Sequence, residues 1–428
     1  MSFIPSTPND VAAMLDTIGA TDIEALFASI PPELRLQSWT IPPGLSQMSA
    51  QRYLQSLAGR NTGNHVCFMG GGFYDHDIPA AVDALAGRSE FLTAYTPYQP
   101  ECSQGTLQAI YEYQSAVTRL TGMDVANASL YDGGTAVFEA ATMAIRLTGR
   151  RRIVCGPSLN PTYRAILDTH TANLDVTIAD GHTPQDAACV IVQNPGFRGT
   201  VRDFSQLASR CHDAGALLVM SVYPLSLGML KTPGEMGADI AVAEGQSLGL
   251  PLGFGGPYLG MMATRRKYIR KMPGRLVAET QDAQGQRGFV LTLQAREQHI
   301  RREKAMSNIC SNEAHCALRA LLYLALLGKE GLCEVAAQCH AKAEYLKGRL
   351  TRFTIVNDGP TFNEFVVRLP RNAAEIASEL LARGFVAGIP LTAMECPQPN
   401  DLLVAVTEKR TRLEIDAFVE ALESVACS

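Results

Sequence analysis

Nine residues, Thr93-Ala94-Tyr95-Thr96-Pro97-Tyr98-Gln99-Pro100-Glu101, carry two tyrosines, two prolines and an acid, and lead through Cys102 into Ser103-Gln104-Gly105. Phenol hydroxyls can hydrogen-bond a carboxylate or a phosphate, and proline lowers the entropy lost when such a loop is ordered. The segment Tyr131-Asp132-Gly133-Gly134-Thr135-Ala136 opens a helix, and its backbone can form an anion-binding turn. Asp132 would repel a dianion there, so it reads better as the helix N-cap. Gly70-Gly71-Gly72 precedes Phe73-Tyr74-Asp75-His76 and suits either a flexible loop near a site or a tight turn. His76 lies between Asp75 and Asp77, a pairing that can do acid–base work. The plainer reading is a surface or hydrogen-bonded histidine. Eleven cysteines occur without CxxC spacing, the nearest pairs being Cys310/Cys316 and Cys333/Cys339. That pattern implies no metal site and fits buried, reduced thiols.

The elements that must position these residues follow from composition and periodicity. With 428 residues, 46% apolar and 18% charged, the chain can bury a large core, and its length suggests two to three domains. A net charge of −5 leaves no basic stripe for nucleic acid. The apolar run Ala317–Leu327 carries Arg319 and is far shorter than the roughly 20 residues of a membrane span. Met1–Asp10 shows no basic segment followed by an apolar block, so no secretory signal is expected and a cytoplasmic location is. Residues 1–62 read as an N-terminal helical arm. One helix starts after Asn9-Asp10 and stops at Gly19, and a second holds Ile23, Leu26, Phe27 and Ile30 before Pro31-Pro32.

From 63 to 310, short apolar runs alternate with helical stretches. The strand-like runs are Arg152–Cys155, Asp175–Ile178, Cys189–Gln193, Ala216–Ser221, Asp239–Ala243 and Tyr258–Ala263. This predicts an α/β domain with a mostly parallel sheet flanked by helices. Residues 311–428 read as a smaller α+β domain, with strands at Glu364–Leu369 and Leu402–Val406. Its last helix carries Ile415, Phe418, Val419 and Leu422.

Further motifs appear in order: Leu120-Thr121-Gly122-Met123, Gly237-Ala238-Asp239-Ile240, Gly245-Gln246-Ser247-Leu248-Gly249, Gly253-Phe254-Gly255-Gly256-Pro257-Tyr258 and Ser307-Asn308-Ile309-Cys310-Ser311-Asn312. With the Thr93–Glu101 block and Thr407-Glu408-Lys409-Arg410-Thr411, they closely resemble the glycine dehydrogenase (decarboxylating) family. The closer likeness is to the alpha chain of the two-subunit P-protein of the glycine cleavage system. The resemblance covers nearly the whole chain. It implies a fold-type-I pyridoxal-phosphate transferase-like architecture. It also implies a complex that decarboxylates glycine and passes the aminomethyl group to the lipoyl arm of H-protein.

Pyridoxal phosphate in this fold needs a lysine for the Schiff base, an acid at the pyridinium nitrogen and a donor-rich turn for the phosphate. By the family's spacing from Gly255-Gly256-Pro257, the lysine position falls on Gln246, whose amide nitrogen is not nucleophilic. The nearest lysines, Lys231 and Lys267, lie outside that loop. The acid position, four residues before Leu227, falls on Tyr223, a phenol with a pKa of about 10. The resemblance therefore implies no cofactor on this chain. It places pyridoxal phosphate on a beta subunit, probes of the partner's site on Thr93, Tyr95, Tyr98, Gln99, Glu101, Ser307 and Asn308, and an inactive isolated chain. It suggests a heterotetramer. Arg301-Arg302-Glu303-Lys304 reads as a solvated helix face, with docking of the acidic carrier protein as the alternative.

Overall fold

The computed structural model describes residues 6–427 apart from 37, 39, 62 and 395–397. It divides into two compact units, Met1–Gly63 and Asn64–Ser428. In the first, helix α1 (Pro8–Ile18) begins three residues before the expected start. Thr7 caps it: its hydroxyl accepts the Asp10 N–H, while the Asp10 carboxylate accepts the Thr7 N–H at 2.7 Å. Gly19, at φ +72°, ends it as expected. The expected second helix is only a 3₁₀ turn, Glu24–Phe27. One turn between Gly19 and Pro31 is too short to offset helix nucleation, and its apolar face buries nothing. Helix α2 (Gln47–Ala58), capped by Ser46, was not expected. No described residue of this unit is buried.

The second unit is built on a seven-stranded sheet. Its strands are β1 (Val125–Ala126), β2 (Arg152–Cys155), β3 (Thr177–Asp180), β4 (Ala187–Asn194), β5 (Leu217–Val222), β6 (Ile240–Glu244) and β7 (Gly260–Thr264), in the order β1-β7-β6-β5-β4-β2-β3. The four pairings from β6 through to β3 are parallel, and β7 is antiparallel to β6 and β1. Alternation along the strands feeds two cores. Val190, Val192, Leu218 and Met220 enter one, and Cys189, Ile191, Leu217 and Val219 enter the other. Both faces are thus covered, as continuous apolar strands require. Helix α3 (Gln104–Thr121) packs against β1 and β7, and helix α4 (Gly133–Thr148) against β4, β6 and β7.

Helix α5 (Ala314–Arg349) breaks at Gly328, at φ +61°, and leads to a four-stranded sheet built around Glu364–Arg368 and Asp401–Ala405. Helix α6 (Arg412–Ala426) closes it. Ile415, Phe418, Val419 and Leu422 are all buried, each contributing about 1.5–3 kcal/mol. Val66–Cys67 pairs with Phe385–Val386, so the chain after residue 63 is stitched to its C-terminal part. No helix among the described residues is long and apolar enough to cross a membrane.

Candidate functional site

The elements gather the chemistry-bearing residues into two groups. The first lies at the ends of β5 and β6. Gln246 follows β6 and is 1% exposed. Its side-chain oxygen accepts the Tyr74 N–H at 2.9 Å, and its amide nitrogen donates to the carbonyls of Tyr74 (3.1 Å) and Leu250 (2.8 Å). The amide is therefore saturated and used as a structural tie. Tyr223 follows β5 and packs against Tyr74, the rings tilted by 40° with centroids 4.5 Å apart. Burial pushes its phenol well above the ordinary value, so it stays neutral.

His76 joins this group, which corrects the surface reading and supports the hydrogen-bonded one. Its Nδ1 donates to Glu408 Oε2 at 2.7 Å, which leaves Nε2 to accept the Tyr223 hydroxyl. Although burial would raise the Glu408 carboxyl, the hydrogen bonds it accepts from His76 and from the Asp77 N–H hold it at about 2. The Cys339 thiol donates to the same carboxylate at 3.3 Å. His76, Cys339 and Glu408 form a metal-type donor cluster that the cysteine spacing did not reveal. Each donor atom is already engaged within the cluster.

The turn before α4 has Asp132 as N-cap, accepting the Thr135 N–H at 2.8 Å, in accord with the sequence reading. The Gly133 N–H, which would face an anion, instead donates to Glu244 Oε2 at 2.8 Å. Gly71 and Gly72 form a tight turn with φ +76° and +109°, and the Gly71 N–H donates to Glu364 at 2.6 Å. Tyr74 also donates its hydroxyl to Glu364, at 3.0 Å. Burial pushes the carboxyls of Glu244 and Glu364 up to about 8 and about 7. The cavity left among Tyr74, Tyr163, Tyr223, Glu244 and Glu364 measures about 20 Å³, room for one water. A pyridoxal phosphate does not fit. Lys231 and Lys267 are exposed and paired elsewhere, with Asp203 and Asp239.

The second group is the loop before α3. Tyr95 is 77% exposed and Tyr98 45% exposed. Gln99 and Glu101 are exposed, and Thr93 donates to the Ser89 carbonyl at 3.2 Å. Arg275 clamps the loop to the segment entering α5, donating to Tyr98 Oη (3.1 Å), the Cys310 carbonyl (2.7 Å) and Ser311 Oγ (3.4 Å). Ser307 donates to Glu139 at 2.8 Å, and exposed Asn308 offers its carbonyl to Gln298. A cavity of about 360 Å³ opens between Tyr95–Pro97, Arg275 and the start of α5. So Tyr95, Tyr98 and the 307–312 segment are brought together, separately from Gln246 and Tyr223.

This arrangement has close relatives. The family model for glycine cleavage system P-protein matches residues 1–422. The chain belongs to the P-protein family. It is 55% identical over 443 residues to the probable glycine dehydrogenase (decarboxylating) subunit 1 of Geotalea uraniireducens, covering 99% of both chains. It is 51% identical over 442 residues to that of Nitratidesulfovibrio vulgaris, strain Hildenborough, covering 99% and 100%. A crystal structure of glycine decarboxylase (P-protein) in inhibitor-bound form superimposes with TM-score 0.92 at 43% identity, covering 99% of this chain and 100% of that one. A glutamate decarboxylase of Lactobacillus brevis (TM-score 0.67, 12% identity) and an alanine–glyoxylate aminotransferase of Nostoc (0.58, 17%) share the fold. The fold is that of the fold-type-I pyridoxal-phosphate enzymes, as the resemblance implied.

Several site residues were invisible to sequence reasoning. Glu244, Glu364, Tyr74 and Tyr163 converge from β6, the second sheet, the glycine turn and the helix after β2. The acid ending β6, two residues before Gln246, was the one local signal. Arg301–Lys304 is exposed, but its helix is broken, with Arg302 at φ +53°, so no continuous basic helix face exists there. Of the ten cysteines described, five are buried, whereas Cys102, Cys310, Cys333 and Cys427 are exposed, which corrects the uniformly buried reading.

Proposed function

We propose that this P-protein chain is the cofactor-free subunit of a two-subunit glycine dehydrogenase, in which a partner subunit holds pyridoxal phosphate. The carrying observation is the filled pocket: Gln246 is saturated by backbone groups, beside a cavity of about 20 Å³. When bound by the partner, the coenzyme withdraws electrons so that the glycine carboxylate can leave as CO₂. This chain supplies position. The loop Thr93–Glu101 presents Tyr95 and Tyr98 to the partner's site as hydroxyl donors, with Gln99 and Glu101 beside them. Arg275 fixes Tyr98, and Ser307 and Asn308 border the same edge. The lipoyl arm of H-protein collects the aminomethyl group. The complex is a cytoplasmic heterotetramer, and residues 63–310 and 311–428 act as its large and small domains.

Mixing tests this reading. Glycine–bicarbonate exchange is expected only when this chain and the partner subunit are combined with H-protein. Exchange by this chain and H-protein alone would overturn it.

A further inference from the structure

The free backbone N–H groups at a helix N-terminus, such as the head of α4, are ready-made donors for an anion. Here three backbone donors converge on one side chain. The Gly133 N–H donates to Glu244 Oε2 at 2.8 Å, and the N–H groups of Gln246 and Leu259 donate to Oε1 at 3.0 and 3.1 Å. Glu244 is 5% exposed. A methyl group placed on Gly133 would lie 2.6 Å from Tyr163 Oη and 2.9 Å from Glu244 Cβ, so the turn closes directly onto the end of β6. The Asp132 carboxyl caps the same turn by accepting the Thr135 N–H, so that donor too is already taken.

We infer that Glu244 is an internal ligand: its carboxyl group occupies the Gly133 N–H at the head of α4 together with the N–H groups of Gln246 and Leu259, and closes the pocket from inside. Glu244 thus replaces the coenzyme as a structural part of this chain. That role is separate from the assignment of catalysis to a partner, because it is read out on this chain by itself.

The experiment is thermal unfolding of the full chain in sodium formate against sodium chloride at equal ionic strength. Glu244→Ala leaves three buried N–H groups unpaired and is expected to lower the melting temperature by about 3 °C or more. Formate, a carboxyl group without a tether, is expected to recover at least about half of that loss, with no effect on the wild type. Glu244→Gln keeps the space filled, so it should melt below the wild type and not answer to formate. Should the alanine variant not fold in chloride, folding regained in formate supports the inference equally, and no folding in either salt overturns it. The inference is also overturned by an alanine variant as stable as the wild type, by no formate recovery, or by equal formate shifts in all three proteins. A second arm is independent of unfolding. Gln246→Lys by itself should give no borohydride-stable pyridoxal phosphate adduct at position 246, because Glu244 still blocks the phosphate place. An adduct there would also overturn it.

Discussion

Glu364→Gln isolates one consequence of a pocket filled by the chain's own acids. Glu364 accepts the Gly71 N–H and the Tyr74 hydroxyl, and burial pushes its carboxyl from 4.5 up to about 7. The folded protein therefore holds this proton to higher pH than the unfolded chain. Stability from this group is full below pH 4.5 and is lost as pH rises through 7. The rise from 4.5 to about 7, at about 1.4 kcal/mol per pH unit, gives roughly 3 kcal/mol. Glutamine keeps one acceptor for Gly71 and does not titrate. Urea midpoints of wild type and variant, followed from about pH 5 to about pH 8.5, should diverge, the variant gaining roughly 2–3 kcal/mol relative to wild type. Glu244 and Glu139, also raised, are common to both proteins and cancel in the comparison. Parallel profiles would refute the reasoning.

Glu408 behaves with the opposite sign: held at about 2, it stabilises above pH 4.5 and that stability disappears as pH falls through 2. Glu408→Gln is expected to cost about 3 kcal/mol at neutral pH and to flatten the acid limb of a circular-dichroism titration. Tyr95→Phe should lower glycine–bicarbonate exchange of the assembled complex by about tenfold or more, the loss of a hydrogen bond to a charged group. Unchanged exchange with intact assembly would remove Tyr95 from the site. Gly199 sits at φ +88°, and a methyl group there would lie 1.8 Å from the Glu364 carbonyl oxygen. Gly199→Ala should cost about 3 kcal/mol or more in urea unfolding.

What the sequence revealed was local in its physics. Arg152–Cys155 was read at its observed limits because a short apolar run flanked by helical stretches has few alternatives. The strand expected at Asp175–Ile178 runs two residues later, as its pairing with β2 dictates. Helix α2 was missed because half its residues are polar and it buries nothing. The hairpin Leu276–Gln281 with Arg287–Thr292 was missed because Arg287, Glu279 and Thr280 dilute its apolar pattern. At the site, family spacing pointed to Gln246 and Tyr223, and the structure brings both against Tyr74. Long-range convergence hid the rest. Nothing local joins Gly71 to Glu364, or His76 to Glu408, across some three hundred residues.

The most direct measurement incubates this chain with pyridoxal phosphate, alone and together with its partner subunit, reduces with borohydride and maps the modified peptides. The account predicts no adduct on the peptides around Gln246 and a specific adduct on the partner. A coenzyme adduct within this chain's own pocket would contradict it.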